Sequence, residues 1–449
     1  MSDALADALR TLLGRQDATI QNLRRLSGGA SRETWAFDLV ERGQSEGLIL
    51  QRLRPGVTAS STGVPIATEA ALLRLAGQHG VPVAEVLDSD DGEVLGSAGM
   101  VVQRLDGETI ARKILRDGEW AVARSRMGEQ VGAALARIHA IPPAEARGLT
   151  ATDQLSQFQA VLDGLGEPHP AFELGFRWLA KNRPSPAEPG VVHGDFRMGN
   201  LLVDHDGLRA VLDWELAHLG DPLEDLGWFC VRAWRFGSAL PAGGVATREA
   251  LVSAYQTASG SVVDLDSLRW WEVLGTLKWG VICVMQAWGH LSGATRSVEL
   301  ATIGRRVCEN EWDVLGLVPG APLVLHPDRV VAPAPVLHDR PHLAELVEAV
   351  REWVGGDVRE GTEGRLAFHA RVATNALKMV ERELAQGSGP IVAHAERLRS
   401  LDCADDRELA AKIRRGDLDA RLAEVRLAVA ASVEDKLLVA NPEWLQPDT

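Results

Sequence analysis

The chain has few cysteines, and none of them belongs to a paired motif. The four cysteines are Cys230, Cys283, Cys308 and Cys403, with no Cys-x-x-Cys pair among them. Scattered single cysteines supply neither the paired ligands of a zinc site nor the regular set of a disulfide framework. This usage fits a reducing compartment, and we expect a cytoplasmic protein.

Long apolar runs and an excess of basic residues are also missing. No run approaches the length of about 20 apolar residues that a membrane helix needs, and the first residues lack the basic start and apolar core of a secretion signal. The net charge of −15 over 449 residues argues against a general nucleic-acid binder. We therefore predict no membrane and no nucleic-acid partner. The hydrophobic and charged fractions, 46% and 24%, are those of an ordinary globular protein.

One stretch carries the strongest chemical signal. An apolar run ends at His193-Gly194-Asp195, Asn200 follows five positions after Asp195, and a second apolar run ends at Asp213. A carboxylate, an amide and another carboxylate in this order are the groups that a kinase catalytic loop needs. The first carboxylate accepts the proton of an attacking hydroxyl. The other two side chains offer the hard oxygen atoms that Mg²⁺ prefers.

The ordered set resembles the aminoglycoside phosphotransferase and choline kinase-like family, a small-molecule branch of the protein-kinase-like fold. It departs from protein kinases in two places that are usual for this branch: Gly194 replaces an arginine, and Asp213-Trp214-Glu215 replaces Asp-Phe-Gly. The resemblance implies an α+β, bilobal, kinase-like fold and an ATP-dependent phosphotransferase. It implies that Asp195 is the base in a catalytic loop with His193, and that Asn200 and Asp213 hold Mg²⁺.

The same resemblance places the nucleotide on the first lobe. A turn of small residues would cover the ATP phosphates, where backbone N–H groups can approach them. These residues are Ser27, Gly28, Gly29, Ala30 and Ser31. The strand at 48–52 must supply a cation for the phosphates, and we favour Arg52, with Gln51 as the alternative occupant of that position. Glu69, on a helix over about 65–78, is expected to orient the cation. The adenine is expected to bond to backbone groups near Gln103 and Leu105.

Four regions are expected along the chain. Residues 1–105 form the first kinase-like lobe, 106–320 the second, 321–336 a proline-rich linker, and 337–449 a small all-α helical bundle. Apolar residues at helical spacing mark three helices in the bundle, the third being Leu418, Leu422, Val425, Val429 and Val433. No convincing set of catalytic side chains occurs in it. We expect it to dock on the kinase lobes.

The acceptor is where the sequence leaves alternatives. The segments 212–220 and 220–228 are similar to the branch of the family found fused to acyl-CoA dehydrogenases or acting beside them. Some kinases of that branch phosphorylate a hydroxyacyl-CoA together with a separate small helical protein, and the bundle resembles such a partner, here fused. A hydroxyacyl-CoA is the favoured acceptor. The alternatives are an aminoglycoside, amino-alcohol or sugar kinase, and a non-catalytic pseudokinase scaffold.

Overall fold

The computed structural model describes residues 2–26, 32–54, 63–325 and 341–446. The chain divides into two compact units, the first formed by Met1–Thr152 with Ser185–Glu272 and the second by Asp153–Pro184 with Val273–Asp448. Strands occur in the first unit and helices make up the second. The α+β class predicted from the sequence is confirmed.

The first unit begins with a helix and a five-stranded antiparallel sheet. Its elements in chain order are α1 (Ser2–Leu12), β1 (Thr19–Arg25), β2 (Arg32–Glu41), β3 (Gln44–Leu53), α2 (Ile66–Gln78), β4 (Val86–Asp90) and β5 (Gly99–Gln103). The strand order is β1-β2-β3-β5-β4, so β3 is the central strand.

The two faces of this sheet bury different side chains. One face packs on α1, and Leu48 and Leu50 of β3 belong to that buried cluster together with Leu9. The opposite face packs on α2, and Ile49 of β3 lies against that larger core. Successive side chains of a strand point to opposite faces. Even-numbered residues of β3 therefore face α1, and odd-numbered residues face α2.

The chain continues through helices and two short antiparallel strand pairs. The elements are α3 (Ala111–Arg116), α4 (Ala121–His139), α5 (Gln154–Leu165), α6 (Pro170–Lys181), β6 (Gly190–Val192), β7 (Leu201–Asp204), β8 (Gly207–Val211), β9 (His218–Gly220), α7 (Leu223–Phe229) and α8 (Arg248–Ser259). Strand β6 pairs with β9, and β7 pairs with β8. These pairs carry the loops that contain the predicted catalytic residues.

Helices α4 and α8 approach each other closely in the first unit. A Cβ added at Gly132 of α4 would lie 2.6 Å from the Cβ of Ala254 and 2.8 Å from the backbone nitrogen of Tyr255. Only a residue without a side chain permits this spacing. The close packing fixes the end of α4, where His139 contacts the catalytic region described below.

The second unit is helical in the residues that the structure describes. The remaining helices are α9 (Leu265–Leu291), α10 (Val298–Gly304), α11 (Val307–Leu317), α12 (Leu343–Trp353), α13 (Gly364–Gln386), α14 (Gly389–Ser400), α15 (Asp406–Arg415) and α16 (Leu422–Ala440). The boundary between the units falls within α9. Helix α16 is the centre of a core that includes Leu174 of α6 and Leu315 of α11.

The bundle predicted at 337–449 is therefore not packed only on itself. Its last three helices, α14 to α16, share one core with α6 and α11, which come from earlier in the chain. The third predicted helix has a buried apolar face at Val425, Val429 and Val433. The first, α12, has its apolar residues exposed, with Leu343 63% and Leu346 51% accessible. The domain boundaries stay predictions, and most of the expected linker lies outside the described residues.

Candidate active site

The catalytic loop leaves β6 and enters β7 through a single helical turn at Met198–Asn200. Gly194 has a positive φ of 79°, and a Cβ at this position would collide with the carbonyl oxygen of Leu216. This explains the glycine where a protein kinase has arginine, since a side chain is excluded both by conformation and by space. The turn presents Asp195 immediately afterwards.

The carboxylate of Asp195 is held by hydrogen-bond donors on several sides. Asn200 donates through Nδ2 at 2.6 Å, and Arg197 donates through Nε at 3.1 Å. Trp228 of α7 donates through Nε1 to Oδ1 at 2.9 Å. The Arg197 guanidinium also lies over the ring of Trp234, 5.0 Å from its centroid. The predicted base and one predicted metal ligand are thus in direct contact.

Asp213 follows β8 in a left-handed backbone conformation, with φ of 63°. Asp is among the few side chains that tolerate this region. The Leu212 amide donates to the Asn200 carbonyl oxygen at 2.8 Å, which brings Asp213 next to the catalytic loop. Burial, and then the nearby Glu215 and Asp195 carboxylates, raise the pKa of Asp213 to about 7.

The donor chemistry here fits a magnesium ion. A buried carboxylate whose pKa is raised by other carboxylates marks an excess of negative charge, which a divalent cation relieves. Asn200 uses its amide nitrogen for Asp195, so its oxygen remains the group suited to the metal. Among the described residues, no three His, Cys, Asp or Glu side chains form a metal cage. Mg²⁺ in kinases commonly takes one or two protein ligands and completes its shell with water and phosphate oxygens.

A buried network supports the loop from behind. The Asp225 carboxylate accepts hydrogen bonds from the backbone amides of His193 and Gly194, at 2.8 and 2.9 Å. His139 contacts the same carboxylate at 3.2 Å, and its other ring nitrogen meets the Tyr255 hydroxyl at 3.0 Å. Burial opposes ionisation of Asp225, but the hydrogen bonds from His139 and from the His193 backbone amide hold its pKa below the usual value.

His193 itself is fully buried. Its Nε2 atom lies 3.0 Å from the Leu212 carbonyl oxygen, and burial lowers its pKa. A neutral, enclosed imidazole cannot contact an acceptor hydroxyl. We therefore revise the expectation that His193 is catalytic: the ring ties the catalytic loop to the segment that carries Asp213, and it is a positioning residue.

The expected pairing of Arg52 with Glu69 is wrong. Arg52 lies on the α1 face of the sheet, where its guanidinium bonds to Glu33 at 3.1 Å and to the Leu95 carbonyl at 3.2 Å. Glu69 pairs instead with Arg32 of β2, at 2.6 Å. The reason is the strand period of two, because Arg52 shares a face with Leu50 and not with Ile49. Gln51, the alternative that the sequence left open, lies on the α2 face.

The described residues include only some of those predicted to bind the nucleotide. Ser27, Gly28, Gly29, Ala30 and Ser31 lie outside the described residues. In the expected adenine-binding segment, the amide of Gln103 already donates to the Glu85 carbonyl at 2.8 Å, and that of Arg104 to Gly47 at 2.9 Å. Leu105 packs against the core that includes α2. The amides of residues 103 and 104 are therefore engaged in the sheet, and adenine recognition near Leu105 stays a prediction.

Sequence reasoning missed three side chains that the structure brings to the site. Arg32 contacts Glu69 and also Glu215, the latter at 3.2 Å. Arg197 and Trp228 hold Asp195. Arg197 was visible two positions after the predicted base. Nothing local distinguished Trp228 from the other twelve tryptophans of the chain, because its role depends on a contact between α7 and a loop 33 residues earlier.

The antiparallel sheet with one helix, the loop carrying Asp195 and Asn200, and the buried Asp213 together define a kinase-like phosphotransferase. Residues 22–271, more than half of the chain, match the family model described as the phosphotransferase enzyme family, APH. The chain belongs to this family. Residues 360–444 match a domain of unknown function, DUF6285.

The chain is also similar to individual proteins that carry acyl-CoA dehydrogenase names. The chain is 26% identical to Acyl-CoA dehydrogenase family member 10 of Mus musculus, over 53% of this chain and 23% of the relative. It is 30% identical to family member 11 of Homo sapiens, over 39% of this chain and 25% of that protein. The chain thus spans about a quarter of the length of these relatives.

Solved structures support the fold. A candidate aminoglycoside phosphotransferase from Ralstonia eutropha superposes with a TM-score of 0.55 at 20% identity, over 70% of this chain and 98% of that one. The kinase-like fold expected from the resemblance is confirmed. In the described part of the chain, every helix is too short or too polar to cross a membrane.

Proposed function

We propose that the chain transfers the γ-phosphoryl group of ATP to the hydroxyl of a hydroxyacyl-CoA. The observation that carries the chemistry is the fixed Asp195 carboxylate, which Asn200, Arg197 and Trp228 hold in one orientation. A base that is oriented before the acceptor arrives needs no rearrangement to act. Asp195 accepts the hydroxyl proton as the acceptor oxygen bonds to the γ-phosphorus and the bond to the β-phosphate oxygen breaks, which releases ADP.

Asn200 and Asp213 are the proposed magnesium ligands. The bound ion supplies neutralisation of the charge on the phosphates and on the departing ADP. The protein's own part is to keep both ligands beside the base, through the Asn200–Asp195 bond and the Leu212–Asn200 backbone bond. His193 and Asp225 maintain the loop in this arrangement.

The acceptor class rests on the relatives. Two of them carry acyl-CoA dehydrogenase names, although the chain covers only about a quarter of their length. An enzyme that phosphorylates the hydroxyl of an acyl-CoA converts a poor leaving group into a good one. This step would prepare the acyl chain for elimination, a reaction that could belong to the same sequence of reactions as an acyl-CoA dehydrogenase step.

CoA carries phosphate groups, so its binding needs cationic side chains. The arginines of the helical bundle are candidates, but Arg397 bonds to Asp435 at 2.6 Å and Arg415 bonds to Asp417 at 2.7 Å. Arg414 is bonded to Glu173 at 2.9 Å and to Asp163 at 2.7 Å. These three cations are already paired with carboxylates, so we do not favour them as the residues that bind the CoA phosphates. Arg399 is exposed and stays a candidate.

The test uses the full chain. Removing the helical bundle by truncation near residue 332 would expose the core that α6 and α11 share with α16. Loss of activity in the truncated protein would therefore not be informative. The full chain is incubated with Mg-ATP and a hydroxyacyl-CoA, its free hydroxy acid, an amino alcohol or an aminoglycoside. ADP release and the mass of the product are measured, with Asp195→Asn as the control. We expect phosphorylation of the hydroxyacyl-CoA thioester and little phosphorylation of the free hydroxy acid.

The second candidate is an aminoglycoside or amino-alcohol kinase. The carboxylates of Asp195, Asp213 and Glu215 form an acidic centre, which would favour a cationic acceptor. Turnover of an aminoglycoside or amino alcohol, with no response to any acyl-CoA, would reject the hydroxyacyl-CoA proposal and leave the phosphotransferase assignment intact.

A further inference from the structure

The cation on the central strand of the sheet does not face the predicted catalytic residues. Arg52 of β3 stands opposite Glu33 of β2 in the antiparallel register, and both side chains point to the α1 face, where they bond at 3.1 Å. The position on β3 that faces α2 belongs to Gln51, which is neutral. The phosphate cation must therefore come from a different residue.

Arg32 at the start of β2 occupies the required face. It bonds to Glu69 of α2 at 2.6 Å and to Glu215, two residues beyond Asp213, at 3.2 Å. Glu69 is 1% exposed and the Arg32 side chain 13% exposed. Burial lowers the pKa of Arg32, but the charges of Glu69 and Glu215 outweigh it and raise the pKa, with a smaller contribution from Asp213. The guanidinium thus links α2 to the predicted metal site.

We propose that Arg32 is the cation that binds the ATP phosphates, and that Glu69 positions it. A guanidinium has five N–H donors in a planar fork, so ion pairs to Glu69 and Glu215 leave donors for phosphate oxygens. The buried Glu69 fixes the direction of the fork. The role that the sequence assigned to Arg52 of the central strand thus belongs to Arg32 of the neighbouring strand, on the α2 face of the sheet.

The inference concerns ATP alone and does not depend on the acceptor. Its test is nucleotide binding by calorimetry on the full chain, with Mg-ATP and with adenosine, which lacks the phosphates. Arg32→Gln should weaken Mg-ATP binding by about 10- to 100-fold, the usual range for losing hydrogen bonds to a charged group. Its affinity for adenosine should match that of the wild type.

Arg52→Gln is the matched control. It removes the same charge from the same sheet but from the opposite face. We expect Mg-ATP affinity within about twofold of wild type, the usual range for a change at a separate site that shares no partner with Arg32. The double variant Arg32→Gln/Gln51→Lys restores a cation on the α2 face from β3, and it should recover a large part of the Mg-ATP affinity.

Three results would overturn the proposal. The first is a loss of Mg-ATP affinity in Arg52→Gln with none in Arg32→Gln. The second is an equal loss for adenosine and Mg-ATP in Arg32→Gln, which is the signature of a structural role. If Arg32→Gln shows no cooperative melting, Arg32→Lys decides the question, because it keeps a charge beside Glu69 but not the planar fork. We expect Arg32→Lys to bind Mg-ATP at least threefold more weakly than the wild type, about 0.6 kcal/mol, and to bind adenosine equally well. Wild-type Mg-ATP affinity in Arg32→Lys is the third result that would overturn the proposal.

Discussion

The Asp225 carboxylate accepts a hydrogen bond of 2.8 Å from the backbone amide of His193, and a second from the next amide along the chain. Asp225 is fully buried and lies on α7, whereas both amides belong to the catalytic loop. These contacts give the carboxylate a structural role. The orientation of Asp195 therefore depends on a residue that does not touch the reacting atoms.

Replacing Asp225 with Asn should weaken both stability and turnover. The amide group keeps one acceptor oxygen but points N–H groups at donors, so at least one buried backbone amide loses its partner. We expect the free energy of unfolding to fall by roughly 1–3 kcal/mol and kcat to fall with it. Denaturant unfolding and ADP release measure the two effects.

The control for this variant is Asp206→Asn, at a side chain that is 90% exposed. It should leave both quantities nearly unchanged. An Asp225→Asn protein with wild-type stability would show that the two hydrogen bonds do not hold the loop.

Asp195→Asn tests the base. The asparagine oxygen can still accept from Trp228, so the loop should keep its shape, but the amide cannot take the hydroxyl proton. We expect kcat to fall by at least about 100-fold, within the range for loss of a general base, with Mg-ATP affinity largely retained. Turnover at the wild-type rate with the true acceptor would show that Asp195 is not the base.

Asp213→Asn tests the metal ligand. Asn tolerates the left-handed backbone of this position, so the change removes the charge with little strain. We expect weaker Mg-ATP binding and a fall in kcat/KM of at least about 100-fold, because a metal ion supplies several kcal/mol to the transition state. Calorimetry with Mg-ATP and with ATP in a chelator separates metal binding from nucleotide binding. Equal Mg-ATP affinity in the variant and the wild type would reject the assignment.

The sequence predicted the parts of this molecule that are encoded contiguously. Asp195, Asn200 and Asp213 lie in short motifs, and the structure brings them together. The cation was assigned wrongly because a shift of one residue along a strand moves a side chain to the other face, and Arg52 and Gln51 are neighbours. Arg32 could not be found, because its partner Glu69 is 37 positions away.

The helices of the second unit also show that a local sequence pattern does not predict distant contacts. Periodicity predicted an apolar face on α12 as clearly as on α16, but only the face of α16 is buried. A helical pattern shows which residues share a face, and it does not show which element covers that face. The contact of α16 with α6 joins segments more than 200 positions apart, and no local pattern encodes it.

The same unit contains a buried charged cluster that should make its stability depend on pH. Glu311 of α11 is bonded to His169, at the start of α6, at 3.0 Å and to Lys436 of α16 at 3.1 Å. Burial lowers the pKa of His169, but the bonds to Glu167 and Glu311 outweigh it and raise the pKa to about 9 from an ordinary value of 6.5. The folded unit therefore binds a proton that the unfolded chain releases at lower pH.

The stabilisation from His169 is fully present below pH 6.5, declines as the pH rises, and is lost above about pH 9. We expect the free energy of opening of α6 and α16, measured by hydrogen exchange on the full chain, to fall over this window by up to about 3 kcal/mol. His169→Gln should flatten the dependence. His79→Gln, at the half-exposed end of α2, is the control and should leave it in place. A wild-type profile that is flat from pH 6.5 to 9 would show that His169 is not held in its charged form.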